Sequence, residues 1–346
     1  MTTTGQTQRM TANNTNHCVT LARHPDGALT VDCFSIDTRP SPELTDGKVR
    51  VQVGMISVDA AIRTTLFPNS FHPGIAVGDV IGAPAAGHII ESNDPEWPVG
   101  QAVMGPLGAQ SIAVIPGRLL TKVDDAQAPL NAHLGALSLT TGVTAWMGVR
   151  DVAKPTPGET FVVSAAAGAV GSLVGQIAKL DGARVIGIAG GPEKSAMLVD
   201  ELGFDAAIDY RNEDVAARLK ELAPDGINVF FDNVGGDILD AALDNLALQA
   251  RVVICGAISQ YDRMDNVQGP SLYLRLAERQ SRMEGFTCYH FPDSIQPATA
   301  ELAGWLNDGS IVMPEHMLEG LEEFGTAVEN LYTGANFGKT LVRVES

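Results

Sequence analysis

The sequence of 346 residues has little of what several classes of protein require. Only four cysteines occur, Cys18, Cys33, Cys255 and Cys288, and none of them forms a C-x-x-C pair. This pattern excludes a disulfide framework and a zinc knuckle, and it favours reduced thiols in the cytoplasm. The seven histidines form no H-E-x-x-H motif, but the sequence leaves open a zinc site assembled from distant residues.

Basic residues are also scarce. There are 23 Lys and Arg against 41 Asp and Glu, which gives a net charge of -18. A surface this acidic repels phosphate backbones and anionic lipids, so we expect neither nucleic acid nor membrane as a partner. Residues 1–17 contain no Leu, Ile, Val or Phe. They therefore lack the apolar region of a signal peptide, and we predict a disordered tail there and a cytoplasmic protein.

The length and a hydrophobic fraction of 45% predict two domains, each with its own core. Residues 19–129 contain short apolar alternations cut by Gly and Pro, which is typical of an antiparallel barrel or sandwich. From residue 160 the pattern changes to strands that alternate with helices, and this predicts a parallel sheet with crossover helices. The predicted strands are 160–164, 184–188, 206–209, 228–232 and 251–255, and the predicted helices are 170–180, 193–202, 213–222, 237–246 and 299–307. A last strand is predicted at residues 339–344.

The segment A-A-A-G-A-V-G-S-L-V-G at residues 165–175 lies between the first of these strands and its helix. It is a variant of the dinucleotide fingerprint in which Ala replaces the first glycine. Gly168 would let the backbone approach a pyrophosphate, and Gly171 would let the helix pack on the strand. The helix N-terminus would then offer its amide groups to the phosphates. The alternative is close helix–strand packing without a ligand.

The second strand indicates which nicotinamide cofactor is bound. NAD sites place a carboxylate at the tip of this strand, but here the strand ends in Ile188-Ala189-Gly190-Gly191. Lys194 follows within the next helical turn. The missing acid and the nearby cation favour the 2′-phosphate of NADP, although a solvated helix lysine is the alternative for Lys194.

Seven strings, in order along the chain, resemble one branch of the medium-chain dehydrogenase/reductase superfamily. This is the zinc-independent branch of the prostaglandin/leukotriene reductases and the plant alkenal double-bond reductases. The strings are S-V-D-A-A-I-R (57–63), G-V-T-A (142–145), A-G-G-P-E-K (189–194), F-D-N-V-G-G (231–236), C-G-A-I-S-Q-Y (255–261), E-G-F (284–286) and G-A-N-F-G-K (334–339).

The resemblance implies an α/β fold, with a Rossmann doubly wound parallel-sheet domain and a GroES-like β-barrel catalytic domain. The catalytic domain would comprise residues 18–138 and 302–346, and the NADP-binding domain residues 139–301. Homodimers would form through edge strands. The implied cofactor-binding residues are Gly168, Ala169, Val170, Gly171, Lys194, Tyr210, Asn233, Cys255, Gly256, Ala257, Ile258, Ser259, Cys288, Tyr289, His290 and Asn336.

The implied reaction is hydride transfer from NADPH to the β-carbon of an α,β-unsaturated ketone or aldehyde. The resulting enolate needs a hydrogen-bond donor and a proton source. Tyr261 is the candidate, because a phenol with a pKa near 10 is protonated at neutral pH. A cofactor ribose hydroxyl or water could donate the proton instead, and Tyr261 could simply contact the ribose. His88, in Gly87-His88-Ile89, is predicted to be a barrel residue and not a zinc ligand.

Two departures from the branch concern the predicted substrate pocket. Ala60-Ala61 stands where the branch has P-Y, and residues 108–112, G-A-Q-S-I, stand where it often has G-W-x-E-Y. If neighbouring side chains leave this space empty, the pocket at Ala61 is wide, and bulky apolar enones are the predicted substrates. The alternative activities are a quinone reductase and a zinc-free ketone or alcohol dehydrogenase. A non-catalytic NADPH-binding protein is a further alternative.

Overall fold

The computed structural model describes residues 15–67, 73–126, 128–261 and 266–344. The chain divides into two compact units. The first contains the described residues within Met1–Leu134, His316–Asn336 and Thr340–Ser346, and the second contains Gly135–Glu315 and Phe337–Lys339. The predicted return to the first domain lies at residue 302, whereas in this division it lies at His316.

The elements are named in chain order within the described residues. The strands are β1 (Thr15–Leu21), β2 (Phe34–Pro40), β3 (Lys48–Val58), β4 (Ala85–Ser92), β5 (Ala102–Gly105), β6 (Ile112–Pro116), β7 (Thr121–Lys122), β8 (Thr160–Ser164), β9 (Arg184–Ala189), β10 (Ala206–Asp209), β11 (Ile227–Asp232), β12 (Leu246–Ile254), β13 (Arg282–Gly285), β14 (Glu315–Glu319) and β15 (Lys339–Arg343). The α-helices are α1 (Ile62–Thr65), α2 (Leu130–Leu134), α3 (Thr144–Met147), α4 (Ala169–Leu180), α5 (Pro192–Asp200), α6 (Val215–Leu222), α7 (Gly236–Leu243), α8 (Leu274–Glu278), α9 (Ile295–Asp308) and α10 (Phe324–Thr333).

The first unit is built on an antiparallel sheet. Its strand order is β14-β15-β3-β4-β5-β7, and β6 pairs with β3 beside this path. In β3 the alternating Val49, Val51 and Val53 are buried, as expected for a strand with one face on a core. A separate antiparallel pair, β1-β2, begins at Thr15. The predicted antiparallel β domain is confirmed.

Residues 15–17 belong to β1 and not to the predicted tail. Asn16 pairs with Arg39 of β2, and its side-chain oxygen accepts hydrogen bonds from the Ser111 hydroxyl at 3.1 Å and the Ile112 amide at 2.9 Å. These partners lie far away in sequence, so the polar string Thr-Asn-His gave no local sign of a strand. The remaining residues of the predicted tail, 1–14, lie outside the described residues.

The second unit contains a parallel sheet with the order β10-β9-β8-β11-β12-β13. This is the 3-2-1-4-5-6 order of a doubly wound dinucleotide-binding fold, so the predicted Rossmann domain is confirmed. The sequence predicted five of these strands. The sixth, β13, pairs Met283 with Val252 of β12, but its residues R-M-E-G are exposed and show no apolar alternation. It was therefore missed.

Residues 161–178 form β8, a turn and α4, which confirms the predicted strand–turn–helix. Within the described parts of the chain, no helix has both the length and the apolarity required to cross a bilayer. The other predicted elements shift by a few residues. For example, α6 begins at Val215 and not at residue 213, because the Asp214 carboxylate caps it by accepting the Ala217 amide at 3.0 Å.

Candidate cofactor and active site

The turn between β8 and α4 lies where the strand order of the parallel sheet reverses, between β8 and β11. In open α/β sheets, ligands bind beyond the carboxyl ends of the strands at such a point. Gly168 is the N-cap residue of α4, and the helix begins at Ala169. The amides of its first turn, which include Val170, have no acceptor within the helix and suit phosphate oxygens.

The glycines of this turn differ in what surrounds them. A methyl group on Gly168 would meet one described atom within 4 Å, the Ala165 carbonyl oxygen at 3.2 Å, whereas a methyl group on Gly171 would lie 2.3 Å from that oxygen. Gly175, not Gly171, lies against a ring, since its methyl group would come 2.0 Å from Phe204. The cradle therefore fits a pyrophosphate, with Gly168 at the side that stays open to a ligand.

Three side chains lie near the loop that follows β9. The Tyr210 ring lies against Gly190, where an added methyl group would be 2.8 Å from the tyrosine hydroxyl. Lys194 is half-buried in the first turn of α5. Burial lowers the pKa of Lys194, and the positive charge of Arg211 lowers it further. Two cations and a phenol thus gather where the sequence predicts the 2′-phosphate, and this set fits a phosphate.

Arg211 is not among the cofactor-binding residues predicted from the sequence. It follows Tyr210 directly in Asp209-Tyr-Arg211, so its charge was a readable signal. Its electrostatic effect on Lys194 shows that the ends of β9 and β10 bring the two cations together.

Asn233 is held at the carboxyl end of β11 by the neighbouring strand. Its side-chain nitrogen donates to the Ser164 carbonyl oxygen at 2.8 Å, and its backbone amide donates to the Ser164 hydroxyl oxygen at 2.8 Å. The same hydroxyl donates to the buried carboxyl group of Asp232 at 2.8 Å. Burial raises the pKa of Asp232, although hydrogen bonds from Val234, Gly235 and Ser164 oppose the shift.

Residues 255–261 follow β12 and fold over the end of β11. The Cys255 and Gly256 amides donate to the Asp232 carbonyl oxygen at 2.9 and 3.2 Å. The Ile258 amide donates to the Asn233 carbonyl oxygen at 3.1 Å, and the Ser259 hydroxyl donates to the Val234 carbonyl oxygen at 2.6 Å. The predicted Asn233 and 255–261 segments are therefore brought together at one edge of the sheet.

Tyr261 is the last residue of this segment. Its hydroxyl oxygen accepts the Ala257 amide at 3.4 Å, and a methyl group on Gly256 would lie 3.2 Å from the same oxygen. Burial raises the pKa of Tyr261, and the Ala257 hydrogen bond opposes this shift. The phenol is therefore neutral at physiological pH and keeps its own proton for donation.

Residues 288–290 form a short turn after β13. Burial and, to a smaller extent, the nearby Asp232 and Cys288 together raise the pKa of Cys255 to about 12. Burial also raises the pKa of Cys288, whose sulfur interacts with the Thr144 side chain. Tyr289 is exposed, and the Nδ1 atom of His290 accepts the Thr287 amide at 3.3 Å. The electrostatic effect of Cys288 on Cys255 indicates that the two thiols lie close together in the second unit.

The remaining candidates lie in the first unit. Asn336 donates its amide to the Asn330 carbonyl oxygen at 3.4 Å, beyond the end of α10. Ala61 is exposed before α1, and the Tyr332 hydroxyl donates to the Ala60 carbonyl oxygen at 2.6 Å. Gly338, of the same motif as Asn336, belongs to the second unit. Its amide donates to the Ala167 carbonyl oxygen at 2.7 Å, within the second unit.

Ala109 and Ile112 do not widen a pocket. Both side chains are buried, and Ala109 belongs to the core cluster of the first unit. Neither residue therefore faces solvent. Ala61, by contrast, is exposed, and the wide pocket there stays a prediction.

His88 lies on β4, as the sequence predicts. Its Nε2 atom is 2.8 Å from the Asp125 carboxylate in a half-exposed pair, and this contact lowers the pKa of Asp125. Among the residues that the structure describes, no group of three His, Cys, Asp or Glu side chains is placed to hold a metal ion.

Comparison with known proteins agrees with this geometry. Residues 169–304 match the family described as zinc-binding dehydrogenase, and residues 17–123 match the N-terminal domain of oxidoreductase. The chain is similar to prostaglandin reductase 1 of Mus musculus, with 36% identity that covers 94% of this chain and 98% of that protein. It is 33% identical to the NADPH-dependent curcumin reductase of Escherichia coli over 94% of this chain and 95% of that protein.

A solved structure is similar over the same range. The CurA protein from Vibrio vulnificus, in complex with NADPH, superposes with a TM-score of 0.90 and 34% identity, and the match covers 95% of this chain and 99% of that chain. The sheet order, the fingerprint turn and these likenesses lead to one conclusion. The chain belongs to the medium-chain dehydrogenase/reductase superfamily of oxidoreductases, in the branch that contains the prostaglandin and curcumin reductases.

Proposed function

We propose that the protein uses NADPH to reduce the C=C bond of α,β-unsaturated ketones and aldehydes. The family and its NADP(H) cofactor are shown by the comparisons, and the relatives' names include reductases of prostaglandins, curcumin and 2-alkenals. The observation that carries the proposal is Tyr261, a neutral phenol at the end of a loop anchored to Asn233 and Asp232.

The cofactor would lie along the carboxyl edge of the parallel sheet. Residues 168–171 would hold its pyrophosphate, and Lys194 and Tyr210, together with Arg211, would hold its 2′-phosphate. Asn233, residues 255–259 and residues 288–290 would border the nicotinamide half of the cofactor. When bound, NADPH supplies a hydride to the β-carbon of the substrate.

In the reaction, the side chains of the protein would stabilise the charge on the substrate oxygen and supply a proton. Hydride addition at the β-carbon shifts an electron pair to the carbonyl oxygen, which becomes an enolate. Tyr261 would donate a hydrogen bond to that oxygen, because its hydroxyl accepts from Ala257 and retains its proton. Protonation of the α-carbon, by Tyr261 or by water, then completes a two-electron reduction. We infer that no zinc takes part, since this chemistry needs only neutral donors.

The proposed substrate class is based on one residue of the first unit, Ala61. Ala61 is exposed where the branch carries a tyrosine, so a bulky apolar enone fits better than a short alkenal. The named relatives include both a curcumin reductase and a 2-alkenal reductase, so the preference for a bulky substrate rests on Ala61.

The experiment is an incubation with NADPH, a chelator and a bulky cyclic enone, followed by identification of the product. A saturated ketone is the expected product. An allylic alcohol would mean carbonyl reduction and would overturn the proposal in favour of a ketone or alcohol dehydrogenase. Parallel assays with a quinone test the reductase alternative, and cofactor binding without oxidation of NADPH by any acceptor would indicate a non-catalytic binding protein.

We further infer a cytoplasmic homodimer. The four cysteines form no disulfide, as expected in a reducing compartment. The edge strand β13 exposes its backbone and Met283 to solvent, and Tyr273 and Leu274 are also exposed. Pairing of two β13 strands would cover this edge. A monomeric mass in light scattering at micromolar concentration would contradict the dimer. The net charge of -18 supports a protein without nucleic-acid or membrane partners.

A further inference from the structure

One carboxylate joins the two loops that follow β9 and β10. Asp209 is the last residue of β10 and is 7% exposed. Its Oδ1 atom accepts the Gly191 amide at 2.7 Å and the Arg211 amide at 3.0 Å. Its Oδ2 atom accepts the side-chain nitrogen of Asn212 at 2.6 Å. The carboxylate therefore fixes the backbone on both sides of the loop pair.

These loops carry the side chains assigned to the 2′-phosphate. Gly191 has a φ of 97°, a conformation that suits glycine, and its carbonyl oxygen accepts the amide and hydroxyl of Ser195 at 3.2 and 3.1 Å. The hydrogen bond from Gly191 to Asp209 is thus linked, through Ser195, to the first turn of α5, which contains Lys194. In the loop that follows β10, Arg211 is held in place because its backbone amide donates to the Asp209 carboxylate.

The charge of Asp209 does not help an anion to bind. Burial favours the neutral acid, but the hydrogen bonds from Asn212, Gly191 and Arg211 outweigh it and lower the pKa of Asp209. The group is therefore a carboxylate at neutral pH. A negative charge beside a phosphate site repels the ligand, so any benefit of Asp209 to binding must be geometric.

We propose that Asp209 is a positioning residue that sets the preference for NADPH over NADH without touching the cofactor. It does so by holding the loops at residues 190–192 and 210–212 in the one arrangement that aims Lys194, Tyr210 and Arg211 at a single phosphate. The proposal rests on the assignment of Lys194 and Tyr210 to the 2′-phosphate under the proposed function.

The test measures the dissociation constants of NADPH and NADH by fluorescence titration, without an enone, for the full chain and its Asp209→Asn variant. Asn keeps one acceptor oxygen but lacks the charge and the second oxygen that accepts from Asn212, so the loops should loosen and the Kd of NADPH should rise about tenfold. The Kd of NADH should change less than twofold, because NADH lacks the phosphate. If repulsion dominated instead, Asp209→Asn would bind NADPH more tightly.

The matched control is Asp205→Asn. Asp205 precedes β10 at the opposite end of the strand, and its carboxylate accepts the Val185 amide of β9 at 2.6 Å. The Asp205→Asn variant removes the same charge from a carboxylate that likewise links two strands, together with the ion pair to Lys179, away from the carboxyl edge of the sheet. We expect it to leave the ratio of the two dissociation constants unchanged.

Two further variants keep the outcomes distinct. Asn212→Ala removes one donor to Asp209 and should lower the NADPH preference in the same direction, even if Asp209→Asn does not fold. Lys194→Ala tests the assignment itself. If Lys194→Ala lowers the NADPH preference and the Asp209 and Asn212 variants do not, the positioning role is overturned alone. If Lys194→Ala has no effect on that preference, the assignment of the phosphate site fails with it.

Discussion

The side-chain nitrogen of Asn233 donates a 2.8 Å hydrogen bond to the backbone carbonyl oxygen of Ser164, across the strands β11 and β8. A carbonyl can only accept, so this bond decides which end of the amide faces Ser164 and leaves the Oδ1 atom to accept hydrogen bonds. Oδ1 is therefore the atom with which Asn233 would bind a donor group of the cofactor, such as a ribose hydroxyl.

Replacing Asn233 with Ala should weaken both the sheet edge and the cofactor site. Loss of the bond to Ser164 should lower the free energy of unfolding by about 1 kcal/mol. Loss of the acceptor should raise the Kd of NADPH several-fold. Urea unfolding and fluorescence titration measure the two effects.

Asn245→Ala is the control for that variant. The Asn245 side chain donates to the Leu219 and Ala223 carbonyl oxygens at 3.0 and 3.2 Å, elsewhere in the second unit. It should destabilise the protein by a similar amount and leave NADPH binding unchanged. Equal loss of NADPH affinity in both variants would contradict a specific role for Asn233.

Tyr261→Phe should lower kcat for enone reduction by about tenfold to a thousandfold, because it removes the hydroxyl that would stabilise the enolate. The Kd of NADPH should change little. Tyr273→Phe, at a tyrosine that is 57% exposed, is the matched control and should keep full activity. Steady-state kinetics with a saturating enone would reveal the difference, and an active Tyr261→Phe variant would reassign the donor to water or the cofactor.

The pH dependence has a defined sign. Burial raises the pKa of Tyr261 above its ordinary value, and the reaction needs the protonated phenol. Enone reduction should therefore be independent of this group from neutral pH up to about 10, the ordinary pKa of tyrosine, and decline only above it. A pH–rate profile should show this, and Tyr261→Phe should lack the alkaline decline. A decline centred near pH 7 would instead point to another group.

Cys255 should resist alkylation although the proposed substrates are electrophiles. With a pKa of about 12, only about one thiol in ten thousand is ionised at pH 8, and the thiolate is the reactive form. Iodoacetamide treatment followed by peptide mass spectrometry should label Cys255 slowly in the folded protein and fully in urea. Rapid labelling of the native protein at pH 8 would contradict the raised pKa of this thiol.

The width of the substrate pocket can be tested at Ala61. Ala61→Tyr restores the ring of the branch motif and should lower kcat/KM for a bulky cyclic enone about tenfold or more, with a smaller effect on a short alkenal. Val99→Tyr adds the same ring at a position that is 63% exposed in the first unit and should change neither value. Unchanged turnover of the bulky enone by Ala61→Tyr would show that Ala61 does not limit substrate size.

Much of the fold could be predicted from the sequence, because the apolar patterns that indicate its strands and helices lie within single short segments. The strand Thr160–Ser164 and the strand Ala206–Asp209 lie where the apolar runs predicted them, since a buried parallel strand needs a continuous apolar stretch. The predicted family, fold and cofactor class are confirmed by the comparisons. The predicted site residues, the domain boundaries and the zinc independence stay predictions.

Other features depend on partners that are distant in sequence. β13 exists because β12 supplies its hydrogen bonds, and its four residues alone give no strand signal. Likewise, Ala109 suggested an empty pocket in the sequence, whereas the core of the first unit has closed around it. Packing between distant segments decided both outcomes, and periodicity along one segment does not report on it.

The parallel sheet, the glycine turn and the absence of an acid at the end of β9 could be predicted from the sequence, because each depends on residue types at adjacent positions. Folding in three dimensions was needed to bring Arg211 to Lys194, Asp209 to the Gly191 amide, and Ser164 to Asn233. These contacts join the ends of different strands. Their hydrogen bonds and charges act over a few ångströms in space, between residues that a sequence pattern does not place together.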